Sequence, residues 1–216
     1  EAADGNGRRA GEAYGRALHH ACAARDGPPP PRETGEAAGS NTLWRASTLC
    51  VEGVARLGLK EHDEAKRALS EALALIGRAV KAIQGDSVAL ERIEQLALDI
   101  LDAVHAVHEQ TDDRRGLEGY VLGLQTFLSN LRRASCEEDP PGSVPLLMDV
   151  QPPPQEGNVT DVRARLLERA VLVCIATGQE RHFAVARKIF TEFRAARESP
   201  NMLRLLGILQ SSGHLL

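Results

Sequence analysis

Leu90-Glu91-Arg92-Ile93-Glu94-Gln95-Leu96-Ala97-Leu98-Asp99-Ile100-Leu101-Asp102-Ala103-Val104 decides the fold class. Leu90, Ile93, Leu96, Ala97, Ile100, Leu101, Val104 and Val107 recur three or four residues apart, so a helix of 3.6 residues per turn gathers them on one face. Asp86 or Ser87 stands just ahead, where a short polar side chain accepts from backbone N–H groups that lack a helical partner.

The same period extends in both directions. Upstream, Ser40 or Asn41 caps a helix carrying Leu43, Trp44, Leu49, Val51, Val54, Ala55, Leu57 and Gly58. A short turn at His62-Asp63-Glu64 places Asp63 to cap the next helix, with Leu69, Ala72, Leu73, Leu75, Ile76, Val80 and Ile83 before a stop at Gly85. Downstream, Asp112 and Asp113 open a helix through Leu117, Tyr120, Val121, Leu124, Phe127, Leu128 and Leu131. Thr160 caps another that holds Leu166, Leu167, Ala170, Val171, Val173 and Cys174 and ends at Gly178. Phe183 to Phe193 makes a sixth. Ser199-Pro200 starts a seventh, an N-cap followed by proline at the first helical position. No window alternates apolar and polar residues with β-branched enrichment, so strands are not expected. The reading is an all-α domain over residues 42–216, built of antiparallel helical hairpins with short turns.

Two segments break the pattern. Residues 1–41 are rich in Gly, Ala and Pro, and Pro28-Pro29-Pro30-Pro31 cannot continue a helix. Gly11 to Arg25 carries Tyr14, Leu18 and Cys22 at helical spacing but little else apolar, so residues 1–41 read as a flexible arm and linker. Residues 136–159, with six prolines and two glycines, read as a loop whose length suggests function or disorder. The composition is 43% hydrophobic but only 3% aromatic, with a formal charge of -4. The longest charge-free run, Gly119 to Leu131, is too short to cross a bilayer. Glu1-Ala2-Ala3-Asp4 has no signal-peptide character, and a start without Met suggests a fragment or processed form. Cys22, Cys50, Cys136 and Cys174 lie far apart, which points to a reducing compartment, nuclear or cytoplasmic.

Chemistry of catalysis finds no support in the residue pattern. His105 and His108, with Asp102, lie three apart on one helix, yet the His-Glu-x-x-His spacing of zinc hydrolases is absent. His19-His20-Cys22 sits in the Ala-rich arm. Cys174 lies among apolar neighbours and reads as core, while Glu137-Glu138-Asp139 disfavours a thiolate at Cys136. Gly116, Gly119 and Gly123 lack the spacing of a phosphate loop. Arg163, Arg165 and Arg169 alternate with Asp161 and Glu168 and have no interleaved aromatics, so direct nucleic-acid binding is not expected. No cofactor, metal or catalytic residue is assigned.

Two family resemblances add to this reading. Residues 46–75 resemble one tetratricopeptide unit: Gly53 is followed by Ala65, Leu69 and Ala72, and the small residues among them let two antiparallel helices approach closely. That resemblance implies an adaptor scaffold in a multiprotein complex. Residues 77–216 are similar to the homology domain of telomere-repeat-binding factors, the TRFH domain. Arg78 to Gly85 followed by Leu90 to Gln95, then Phe127-Leu128-Ser129-Asn130-Leu131 before a long loop, then Ala170 to Ile175 and Phe183 to Phe190, carry the likeness. It implies a nuclear, telomere-associated module that homodimerises and captures short peptides.

The stripes on residues 87–111 and 116–131 are wide enough to suggest an apolar face beyond what intramolecular packing uses. Tyr120, Leu124, Phe127 and Leu128, with Val144 and Leu146 of the loop, are the expected partner-binding residues. The expected function is a non-enzymatic protein–protein interaction and dimerisation module, with no membrane and no nucleic-acid contact from this segment.

Overall fold

A computed structural model describes residues 2–27, 39–83, 86–114, 116–135, 159–193, 196 and 199–211. Among these residues there are eight helices and no strand: α1 (Ala2–Asp26), α2 (Gly39–Gly58), α3 (His62–Ala82), α4 (Ser87–Thr111), α5 (Gly116–Ala134), α6 (Val159–Ala176), α7 (Glu180–Glu192) and α8 (Pro200–Ser211). The all-α fold of packed helix pairs is therefore as the periodicity requires. No described helix is long and apolar enough to cross a membrane.

The N-terminal segment departs from expectation. Residues 2–26 form a helix rather than a flexible arm. Its few apolar residues suffice because they meet a prepared surface on α2: Ala21 is buried and the Tyr14 ring lies against Gly58. Sequence periodicity counts only what a helix brings, not the groove that receives it.

Several caps also shift. Ser40 and Asn41 fall inside α2 rather than ahead of it. Asp63 lies in the first turn of α3, 3.8 Å from Lys66, and Glu61 occupies the N-cap without a side-chain capping bond. Asp86 does cap α4, its carboxylate accepting from the N–H groups of Val88 and Ala89. Asp112 closes α4 in a left-handed conformation, φ 47°, and only Asp113 serves α5, accepting from Gly116 N at 3.0 Å. Thr160 is the second residue of α6. Gly178 takes φ 66° after α6, a region that costs other residues steric strain. Gly85, Gly213 and residues 136–158 lie outside the described residues.

One continuous core runs through α2 to α8. Helices α2 and α3 pack so closely that a Cβ on Gly53 would sit 2.7 Å from the Leu69 side chain. Helix α5 lies on α3, where Tyr120 Oη donates to Lys66 O at 2.9 Å and Asn130 Nδ2 donates to Gly77 O at 2.7 Å. These side chains satisfy carbonyls that their own helices leave partly available, and so fix the register of α5 on α3. Leu167, Val171 and Cys174 bring α6 into the same core with no exposed surface.

Candidate partner-binding site

The apolar residues expected to meet a partner are spent on the fold. Tyr120, Leu124, Phe127 and Leu128 are between 0% and 5% exposed; a partner cannot reach them while α5 is seated on α3. The surplus argued from stripe width has the same fate. Ile93, Ile100, Leu101 and Val104 are fully buried, and Leu90 and Leu96 pack against the core partly covered. A chain with few aromatics needs these wide aliphatic faces to fill one thick core. Val144 and Leu146 lie outside the described residues.

The built polar surface lies at the other end, where α1, α2 and α3 meet. A cleft of about 160 Å³ there is lined by Arg25, Leu49, Glu52, Arg56, Glu64, Arg67, Ala68 and Glu71. Leu49 and Ala68 supply the apolar wall, and the remainder is charged. Glu52 is its centre. Its side chain is only 3% exposed, yet Arg25 Nη1 donates to both carboxylate oxygens at 3.0 and 2.9 Å. Arg56, one turn along α2, donates to Oε1 through Nε at 3.0 Å and Nη2 at 2.8 Å. Two guanidinium groups thus offset the cost of removing one carboxylate from water. At the rim, Arg56 reaches Glu61, Arg67 pairs with Glu64, and Arg45 pairs with Glu71 at 2.8 Å. Arg25 is the member brought by α1, and neighbouring Asp26 and Glu52 raise its basicity further.

Helix α1 is held beside this cleft by a second feature. A Cβ on Gly58 would lie 2.4–2.5 Å from carbons of the Tyr14 ring, so only a residue without a side chain leaves the notch open. Tyr14 itself remains 37% exposed, and Val51 and Val54 on α2 are also exposed. The spacing Gly53-x₄-Gly58 was visible in the sequence, but nothing there tied it to an aromatic some forty residues upstream.

Other groups weighed for chemistry are committed elsewhere. Arg169 Nε approaches Asp102 Oδ1 at 2.6 Å, an ion pair without hydrogen-bond alignment. His105 faces Glu109 at 3.6 Å. Among the described residues, no three His, Cys, Asp or Glu side chains lie close enough to hold a metal ion. Burial pushes the thiols of Cys50 and Cys174 up to about 12, so both stay protonated near neutrality. Desolvation likewise raises the Tyr120 phenol. No protein-family profile, curated protein or solved structure matches this chain.

Proposed function

We propose that this chain is a non-enzymatic protein-interaction and dimerisation module that acts through the surface α1, α2 and α3 form together. The observation that carries the reading is the α1–α2 contact. A helix poor in apolar residues is held by one ring in a glycine notch, one buried alanine and a guanidinium clamp on Glu52. Helix-in-groove packing of this kind is also a recurring mode of partner recognition. The likeness of residues 77–216 to the TRFH domain supports dimerisation, a nuclear setting and a telomere-associated parent protein. The close α2–α3 approach at Gly53 favours a second reading, a tetratricopeptide-like adaptor that uses the same surface for a peptide partner.

Sedimentation equilibrium tests the dimerisation half directly. A dimer at tens of micromolar is the expected result, and a clean monomer at that concentration removes it and leaves the adaptor reading.

A further inference from the structure

Helix α5 runs out through Leu131-Arg132-Arg133-Ala134, and Ser135 follows it directly. Of all the serines and threonines in the sequence, Ser135 alone has arginine both two and three residues before it. Protein kinases distinguish their substrates by charge patterns of this kind. Those that take basic sequences hold guanidinium groups with carboxylates, through paired hydrogen bonds that lysine cannot reproduce. Two adjacent arginines at a fixed distance from a hydroxyl are the chemistry such an enzyme reads.

The placement makes all three groups accessible. Leu131 is the last fully buried residue of α5. Beyond it, Arg133 is exposed and has no ion-pair partner among the described residues, Arg132 is 40% exposed, and Ser135 is partly exposed. Ala134 touches the core while staying partly exposed. The Ser135 hydroxyl is held only by its own turn: Oγ donates to Leu131 O at 2.8 Å and lies 3.3 Å from Arg132 O. Its backbone N–H also ends on Leu131 O, at 2.9 Å. The last turn of a helix opens without the core, so Arg132 to Ser135 can extend into a kinase cleft while Leu131 stays seated.

Arg132 also joins two helices. Its Nη1 lies 3.1 Å from Glu192 Oε1 at the end of α7, and Lys188 of α7 approaches the same oxygen at 3.5 Å. A phosphate on Ser135 brings about two negative charges to the negative end of α5. There it repels the Leu131 and Arg132 carbonyls and has lost the hydroxyl proton that now bonds them. It also stands within one turn of the Arg132 guanidinium, and it attracts that group more strongly than a singly charged carboxylate does. Glu192 keeps Lys188 when Arg132 is drawn away.

We propose that Ser135 is a phosphorylation site for a basic-directed serine/threonine kinase, and that its phosphate takes Arg132 from Glu192 and loosens the α5–α7 junction. The kinase brings ATP. The Ser135 Oγ–H bond breaks and its proton passes to the kinase's catalytic carboxylate; Oγ bonds the γ-phosphorus as the β–γ bridging bond breaks and ADP departs. This inference stands on α5 and α7 alone and goes beyond the reading of the α1–α2–α3 surface.

The folded 216-residue chain is incubated with magnesium-ATP and the catalytic subunit of cyclic-AMP-dependent protein kinase, used as a basic-directed enzyme, well below its melting temperature. Peptide mass spectrometry then locates the phosphate. One phosphate on Ser135 is expected, and none there in Ser135→Ala. Arg133→Ala should leave the melting temperature unchanged yet lower kcat/KM by about tenfold or more, the loss of one charge-assisted contact. No incorporation, incorporation only after unfolding in urea, or another residue as the main site overturns the assignment. So does an Arg133→Ala chain modified at the wild-type rate, which turns the reading toward a kinase that recognises Glu137-Glu138-Asp139 instead. Hydrogen exchange tests the second half. The phosphorylated chain should exchange faster than the unmodified one over residues 130–135 and 188–193, and Glu192→Gln should reproduce the α7 part without phosphate. Unchanged exchange over α7 in the phosphorylated chain overturns the release of Arg132.

Discussion

Glu52 and Glu94 are both carboxylates almost withdrawn from water and both clamped by arginine, yet they sit in unlike places. Glu94, on α4, has no exposed surface. It accepts from Arg163 of α6 at 2.9 Å through Nε and 2.6 Å through Nη2, and Arg163 is itself only 14% exposed. Ile93, Ala97, Leu166 and Leu167 pack within the same core. Glu52 faces a cleft, and one of its arginines arrives on a helix tethered to the rest by residues 28–38. A sealed pair fixes the register of α6 on α4. The Glu52 pair lies at a cleft mouth, and its α1 member, Arg25, is 35% exposed. The chemistry is shared; what differs is whether the arginine can leave without opening the core.

The largest expected contrast comes from placing a carboxylate in each region. Leu167→Asp or Val171→Asp buries an unpaired charge where the present side chain has 0% exposure, a cost of several kcal/mol that should unfold the whole chain. Ala21→Asp puts the same group between α1 and α2 and should release α1 alone. Hydrogen exchange separates the two outcomes. Fast exchange confined to residues 2–26 in the Ala21 variant is expected; a wild-type melting curve for the Leu167 variant would place α6 wrongly in the core.

Next in size is loss of one arginine from each cluster. Arg163→Ala leaves Glu94 buried without its guanidinium and should cost about 3–5 kcal/mol. Arg25→Ala should cost about 1 kcal/mol or less, because Arg25 is partly solvated and Arg56 still serves Glu52. Urea titration measures both. Equal losses would mean that the Glu52 cluster is as integral to the core as its counterpart.

How much of this was legible beforehand follows the same division. The period of Leu90 to Val107 placed α4 and its buried face, and Gly53 with Leu69 foretold the close α2–α3 approach, because both are local patterns. The cap at Asp86 and the start at Ser199-Pro200 were equally local; Leu203 N does donate to Ser199 O at 3.0 Å. Misread were the features that depend on distant residues. Tyr120, Leu124, Phe127 and Leu128 looked available because stripe width does not reveal how many helices cover a face. Helix α1 looked unsupported because Tyr14 acquires its seat only from Gly58. No residue near Glu52 in sequence marks it as the centre of a cleft shared with Arg25.

A smaller effect sharpens the account of α1. Gly58→Ala adds one methyl group where the Tyr14 ring now lies, and the ring, being the flexible partner, must swing away. Alanine is otherwise the better helix former by about 1 kcal/mol. In a chain with Tyr14→Ala, Gly58→Ala should therefore stabilise, whereas in the wild-type background it should loosen α1. A double-mutant cycle read by thermal melting measures the difference. Independent, additive effects would show that the notch is not Tyr14's seat.

The smallest effect expected belongs to His182, which joins α7 to the end of α6 far from the cleft. Its Nδ1 lies 2.9 Å from Thr177 Oγ1. That hydroxyl spends its proton on Cys174 O at 2.8 Å, so it can only accept from the ring, and Nδ1 carries the hydrogen. Burial lowers the His182 pKa, the charge on Arg181 lowers it further, and Glu118 opposes them. A depressed pKa means that the unfolded chain takes up a proton before the folded one does. The contribution to stability is therefore full above the ordinary histidine value of about 6.5 and is lost as pH falls through it toward the folded value. His182→Asn keeps a donor for Thr177 but cannot titrate. The gap in unfolding free energy between wild type and this variant should move in the variant's favour between pH 7.5 and 5.5. A wild-type-to-His182→Asn gap that is constant across this range would show that the histidine is equally protonated folded and unfolded, and would detach the α6–α7 corner from any response to pH.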